Sequence, residues 1–477
     1  MLTDKTSRRQ LLNATFALAG ASVLAACAQT PAPTATSAPA AKPAAASPAA
    51  ATDAAKPATS AQGIVTIRYA ARLGANEAVL YKDRLSQFNA EQPNYKAVLE
   101  DYPGTDVEYI PKIMAQHAAG ALSDVFWQSN VWMLAPICSE KGISVSMDDL
   151  IVADKLDMTK WYDNAVKSQQ YKGKQVGLPM KTHPDAAYVH YNKTMLQKAG
   201  IPEPTDKWTF DDFASIAKQL TQESNGRVTQ WGGFAGNNWW SMTDVLRAFG
   251  GDSYSADGTK ARWNDPKSIE AMNWVYSLYQ AKALPNPQAL QGTSEVNLMA
   301  AGRLGLMQSG IWVGSQLSAV NKQGGAAQGF EWWVVKLPDG PAHVPASFAV
   351  TDGVSISSLS KNPQAAFQLC KYLTDKEAGV QLCLGDGVCG SRRDVRDDKR
   401  VQGTTMSKDD KAMFDIYWKG VENAMPFYYP PNLRHMEVAT YVTQVLGGLW
   451  TGQEQPTQAF FDNLNAGVQK IIDLPMV

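Results

Sequence analysis

Hydrophobic and polar positions change period again and again after residue 63. Ile64-Val65-Thr66-Ile67-Arg68-Tyr69 alternates β-branched with polar side chains and predicts a strand. Val79 to Asn89 spaces Leu80, Leu85 and Phe88 among charged residues, a helical period. Tyr95 to Glu100 predicts a second strand, Tyr109 to Ala119 a second helix, and Asp124-Val125-Phe126-Trp127 a short buried strand. Farther on, helices are predicted over Asp211 to Leu220, Pro266 to Ala281 and Pro363 to Thr374. Strands are predicted over Arg303 to Met307, Trp332 to Leu337 and Gly353 to Ser357. Strand and helix alternating at this spacing build mostly parallel α/β sheets with helices on both faces, and such sheets bind ligands at the carboxyl ends of their strands. Two sheets are needed to hold the set. No fixed period of roughly 20 to 50 residues recurs, which argues against a solenoid or propeller.

The preceding segment follows other rules. Ser7-Arg8-Arg9-Gln10-Leu11-Leu12 sets paired arginines before an apolar stretch that ends in Leu24-Ala25-Ala26-Cys27. Charge, apolar run and small residues in that order make an export signal. The last four residues resemble the bacterial lipobox, which leaves Cys27 as a lipidated N-terminus, and the arginine pair resembles the twin-arginine route. Ala28 to Gln62 contains 16 Ala and 6 Pro, with almost nothing to bury, so it predicts a disordered, extended tether. At ~3.1 Å per residue it spans up to ~100 Å.

Composition narrows the function. The 477 residues are 45% hydrophobic and 19% charged, with 44 Lys+Arg against 45 Asp+Glu. Five of the basic and two of the acidic residues precede Ile64, which leaves the ordered region at net −4. Without a basic block the chain has no means of releasing counterions from a phosphate backbone, and nucleic acid is excluded as a partner. Leu11 to Ala26, at 16 residues, is shorter than the roughly 20 a spanning helix needs. Five Cys are too few for a disulfide scaffold of this size. Tryptophan stands out instead, with 14 residues, all beyond Lys56.

Several short motifs occur in one order. Gly120 to Trp127 reads Gly-Ala-Leu-Ser-Asp-Val-Phe-Trp. Gly173-Lys174-Gln175-Val176-Gly177-Leu178-Pro179 precedes Tyr191-Asn192-Lys193 and Lys198-Ala199-Gly200-Ile201-Pro202-Glu203-Pro204, then Trp208 and Leu220-Thr221. Gly250-Gly251, Ala301 to Met307, Gly310-Ile311-Trp312, Leu337-Pro338, Ser360 to Ala366 and Ser391 to Val395 follow. Together they resemble the family 1 extracytoplasmic solute-binding proteins of carbohydrate ABC importers, of the maltose-binding type, with Ser123 in place of the usual proline. The resemblance implies a two-lobed periplasmic-binding-protein fold, two doubly wound sheets joined by a hinge that crosses several times, near His183 to Tyr188, Ser347 to Gly353 and Gly385 to Gly390. Residues 64–183 with 348–385 would form the first lobe, and 184–347 with 386–477 the second.

A neutral sugar offers an apolar face and a rim of hydroxyls, so its site needs flat apolar plates and planar polar groups. Trp127-Gln128-Ser129-Asn130 follows a buried strand, and Trp127, Gln128 and Ser129 are candidates at its carboxyl end. Asn237-Asn238-Trp239-Trp240 combines amides with indoles; Asn238 and Trp240 are candidates, with Trp239 facing into the lobe. Family members stack a sugar on the aromatic at the place of Trp312. By the same resemblance Asp185 is an acidic sugar contact. His183 lies at the hinge, and Asn76 and Glu77 at the first strand-to-helix turn, where helix capping is the competing role. Gly353 at the hinge and Arg393 from the second lobe complete the set. Trp161, Trp208, Trp263, Trp274, Trp418 and Trp450 are assigned to packing, and at most one of Trp332 and Trp333, which begin a strand, could face a ligand.

Other chemistry is excluded. Gly385-Asp386-Gly387-Val388-Cys389-Gly390 satisfies Gly-x-Gly-x-x-Gly but follows a helical segment, so the dinucleotide context is missing. The five histidines lack metal spacing, and no catalytic motif occurs, so no cofactor or metal is expected. Among Cys138, Cys370, Cys383 and Cys389, the pair Cys383 and Cys389 offers the best local loop, with buried free thiols as the alternative. The sequence reads as a monomeric receptor, anchored through Cys27 to the outer face of the cytoplasmic membrane, that binds a mono- or oligosaccharide and passes it to ABC permease subunits. The rivals are an extracytoplasmic carbohydrate-active enzyme, a sugar sensor for a membrane kinase, and the same fold with another cargo, glycerol phosphates calling for an Arg or Lys cluster or polyamines calling for several carboxylates.

Overall fold

The structure is a computed structural model that describes residues 63–102, 106–131, 133–322, 330–344, 347–402, 408–425 and 429–476. The signal segment, Cys27 and the tether lie outside the described residues. Eight strands form the two main sheets: β1 (Val65–Ala71), β2 (Tyr95–Asp101), β3 (Val125–Ser129), β4 (Leu178–Pro184), β5 (Tyr188–Asn192), β6 (Leu306–Ser309), β7 (Trp332–Lys336) and β8 (Ala349–Ile356). Five helices matter for the site: α1 (Ala75–Glu91), α2 (Asp106–Ala118), α3 (Trp239–Phe249), α4 (Val313–Lys322) and α5 (Lys376–Asp386).

The first sheet has the order β2-β1-β3-β8-β4. β1 runs parallel to β2 and β3, and β8 is antiparallel to both β3 and β4. The alternation read at the N-terminus is that of β1, whose Ile67 and Tyr69 are buried with Phe88 of α1 and Ile113 of α2 in one apolar core. The second sheet has the order β6-β5-β7, with both outer strands antiparallel to β5. This departs from a doubly wound sheet for a topological reason. β6, α4 and β7 still make the helical crossover that parallel strands require, but β5 is inserted between them and runs the other way. A parallel neighbour does flank β6: Leu306 N donates to Gly232 O at 3.0 Å and Gln308 N to Phe234 O at 2.8 Å.

The chain leaves the first sheet at Pro184 and enters the second at Tyr188, then returns from β7 to β8. The return strand is held by Met425, which donates to Ser347 O at 2.9 Å and accepts from Ala349 N at 3.0 Å. Ser391 N donates to Met180 O at 3.1 Å, so the segment after α5 also lies beside β4. Each sheet has its own core, and a smaller cluster containing Tyr188, Cys383, Cys389, Tyr417 and Trp418 sits around the crossings. Two long helices near the C-terminus, His435–Trp450 and Gln458–Ile472, belong to the core of the second sheet. Cys383 is bonded to Cys389, while Cys138 and Cys370 are buried free thiols. Trp161, Trp208, Trp263, Trp418 and Trp450 are buried, as packing residues should be.

Candidate ligand-binding site

The carboxyl ends of β1, β3 and β4 and the amino end of β8 meet the starts of α3 and α4 around a cavity of about 420 Å³. That volume lies in the range of small-molecule sites. Both sheets contribute walls: Glu77, Trp127, Ser129 and Lys181 come from elements of the first, Trp240 and Trp312 from elements of the second. A second cavity, of about 580 Å³, borders the crossings at Pro184, Tyr188 and Ser347 and contains none of the sequence-predicted residues.

The aromatic wall follows from local geometry. Asn238 caps α3 by accepting from Ser241 N at 3.1 Å, which fixes the first turn carrying Trp239 and Trp240. Trp312 occupies the turn between β6 and α4, with its ring centroid 6.1 Å from that of Trp240 and 5.0 Å from that of His183. Trp127 is buried in β3, edge-on to Tyr109 with centroids 5.4 Å apart, and the Arg72 guanidinium stands 5.7 Å from its ring centroid. Trp239 packs into the second lobe against His435, with centroids 4.5 Å apart, and also borders the cavity.

The polar wall is ionic. Glu77, the third residue of α1, accepts from Gly74 N at 2.9 Å and pairs with Lys181. Lys181 also lies 3.4 Å from Asp352, its register partner across β4 and β8. Burial alone would raise the Glu77 carboxyl; Lys181 and the Gly74 N–H outweigh it and hold the group below the usual range. Burial opposes charge on Lys181, but Glu77, Asp352 and Asp386 keep it protonated. Asp386 sits at the end of α5 and is raised by burial, against the pull of Lys181. His183 is neutral, its pKa lowered to about 4 by burial. Its Nδ1–H donates to Pro184 O at 2.9 Å, since a carbonyl only accepts, and this leaves Nε2 as an acceptor. Asp185 is anchored by its backbone N–H, which donates to Ser347 Oγ at 2.8 Å and to Phe348 O at 3.1 Å. Burial raises its carboxyl, with Arg247 opposing.

Of the residues singled out in the sequence, Glu77, Trp127, Ser129, His183, Asp185, Trp240 and Trp312 line this cavity. Four do not. Gln128 points to the other face of β3, as strand alternation requires, and donates to Gln169 Oε1 at 2.5 Å. Asn238 acts as a helix cap. Gly353 sits at a bulge in β8, where a β-carbon would stand 2.5 Å from Gln169 Oε1. Arg393 reaches Trp161 O at 3.2 Å and Asp163 at 2.9 Å, away from the cavity. Asn76 lies in α1, and its side chain is outside the described residues.

Sequence reasoning missed Arg72, Lys181, Asp352 and Asp386, and so expected amides where the cavity has ions. A signal existed for Lys181: a lysine inside the otherwise uncharged run Leu178 to Pro184 needs a buried counter-charge. Among the described residues no group of three or more His, Cys, Asp or Glu is placed to hold a metal ion.

Two lobes, a crossing hinge and a cavity walled by both define a binding protein that can close over a small ligand. Residues 74–380 match the bacterial extracellular solute-binding protein family, and the chain belongs to that family, whose members are transport receptors and not enzymes. A binding protein of Brucella abortus (strain 2308) is 23% identical over 324 residues, 66% of this chain and 74% of the relative. An ABC substrate-binding protein of Listeria monocytogenes, solved in complex with cycloalternan, superposes with a TM-score of 0.75 at 19% identity, covering 85% of this chain and 98% of that one. The GacH receptor of Streptomyces glaucescens, solved unliganded and with acarbose, gives 0.71 at 18% identity, covering 86% and 99%. Among the described residues no helix is long and apolar enough to cross a membrane.

Proposed function

We propose that this protein is the substrate-binding lipoprotein of an ABC importer and that it takes a mono- or oligosaccharide into the cavity between its lobes. The observation that carries the reading is the pairing of indoles from the second lobe, Trp240 and Trp312, with hydrogen-bonding groups from the first, Ser129 and His183, and with Asp185 at the crossing between them. Indole faces cover the apolar side of a pyranose, and the polar groups meet its hydroxyls. Because each lobe supplies part of the site, ligand binds the closed form better than the open one and shifts the population toward it. The permease subunits then discriminate loaded from empty receptor. The carbohydrate complexes of the fold relatives support the same ligand class.

In this reading residues 64–183 with 348–385 form one lobe and 184–347 with 386–477 the other. Cys27 carries the lipid, the Ala/Pro-rich segment is the tether, and a monomer works at the outer face of the cytoplasmic membrane. A thermal-shift panel of sugars tests the ligand class. A specific binder at a hundred times its Kd adds ~2.7 kcal/mol of stability. A panel of mono- and oligosaccharides without any shift would contradict the assignment.

A further inference from the structure

We propose that the saccharide bound in this cavity carries a positive charge, an ammonium group held by Asp185 beside the indoles of Trp240 and Trp312. This inference rests on the saccharide reading and goes beyond it. The cavity wall contains four carboxyl groups, on Glu77, Asp185, Asp352 and Asp386, against two cations, Arg72 and Lys181. Lys181 is engaged by Glu77 and Asp352. Asp185 is not satisfied in this way: its side chain belongs to a residue only 4% exposed, it borders the cavity, and Oδ2 has no hydrogen-bond partner. A buried carboxyl oxygen left without a hydrogen-bond partner is costly, and a ligand donor that reaches it removes that cost.

A neutral hydroxyl would satisfy the hydrogen bond but not the excess of acid. An ammonium does both, because its N–H bonds are charge-assisted donors and its charge offsets the surplus carboxylates. The indoles favour the same guest, since the negative faces of aromatic rings attract cations, most strongly when both are removed from water. In a cavity of about 420 Å³ with two indoles on its wall, a hydroxylated ring carrying an amino group is covered better than an extended polyamine. The charged neighbours facing Asp185 are Arg247, which favours its ionised form, and Asp244, which repels it. Burial raises the Asp185 carboxyl and Arg247 opposes it, so an ammonium arriving beside it favours the ionised form, and any proton it carries goes to solvent.

Matched pairs of sugars test this by calorimetry on the purified full-length protein: glucose with glucosamine, cellobiose with the corresponding diamino disaccharide, and the N-acetylated forms of each. The amine member should bind at least tenfold more tightly than its neutral and acetylated partners. Titrations in buffers of different ionisation enthalpy should show proton release with the amine alone. Asp185→Asn, and independently Asp386→Asn, should shrink the preference. Equal or tighter binding of the neutral sugars, or a preference that both variants keep in full, overturns the inference while leaving the saccharide reading intact. Failure of every sugar to bind overturns both.

Discussion

Trp312 lies over Gly310 so closely that a β-carbon on the glycine would stand 1.7 Å from the indole ring. The contact is with a ring, which cannot bend aside as a flexible chain does. Gly310 therefore decides where the second lobe's plate sits, although it presents nothing to a ligand itself. Gly310→Ala should displace the indole and lower sugar affinity about as far as Trp312→Ala, with the fold retained. Calorimetry together with far-ultraviolet dichroism checks both halves of that statement.

Lys181 joins two strands and two carboxylates at the floor of the cavity. Its removal leaves Glu77 and Asp352 buried without their cation. Breaking a buried pair from one side costs roughly 3 to 5 kcal/mol. Lys181→Met should lose that much in denaturant unfolding, and the loss should shrink in a Lys181→Met, Glu77→Gln double variant. Equal losses in the two variants would mean that the pair is not coupled.

Three histidines are buried and neutral. Burial lowers His183 to about 4, and His190 and His435 to about 3. Unfolded, each takes up a proton below its ordinary value of about 6.5. Their contribution to stability is thus complete above that pH and is lost as pH falls toward the folded values. Asp185 and Asp386 act in the opposite direction, since their raised carboxyls favour the folded state at low pH and lose that advantage as pH rises. His190 has neither ring nitrogen partnered. His190→Phe should flatten the fall in melting temperature between pH 6.5 and 4. An unchanged slope would place the acid sensitivity elsewhere.

Cys383 and Cys389 close a short loop that carries Asp386 and Val388, both on the cavity wall. Converting both cysteines to Ala should cost about 2 kcal/mol by freeing the unfolded chain. It should also weaken ligand binding, because Asp386 loses its fixed position. Urea unfolding and calorimetry of the double variant measure the two effects separately.

The ordered fold was largely legible, because β1, α1 and α2 carry a period of two or about 3.6 and β3 a short uninterrupted apolar run. The reversed β5 was not, since strand direction depends on where distant elements dock. The helices at His435–Trp450 and Gln458–Ile472 were passed over despite the helical spacing of Val438, Val442 and Leu446. In the site, the indoles stood out by composition and by their place after strands. The ionic floor did not: Asp352 faces Lys181 only through a register set by the folded sheet. Gln128 was misplaced by one residue of alternation, which turns a side chain to the opposite face.

In this protein Trp240 and Trp312 grip a saccharide between the lobes. Calorimetric titration of the best sugar from the thermal-shift panel into wild type, Trp240→Ala and Trp312→Ala tests it most directly. Wild type should bind saturably and one to one, and each variant should lose at least tenfold in affinity, ~1.4 kcal/mol. Full affinity in both variants would contradict it.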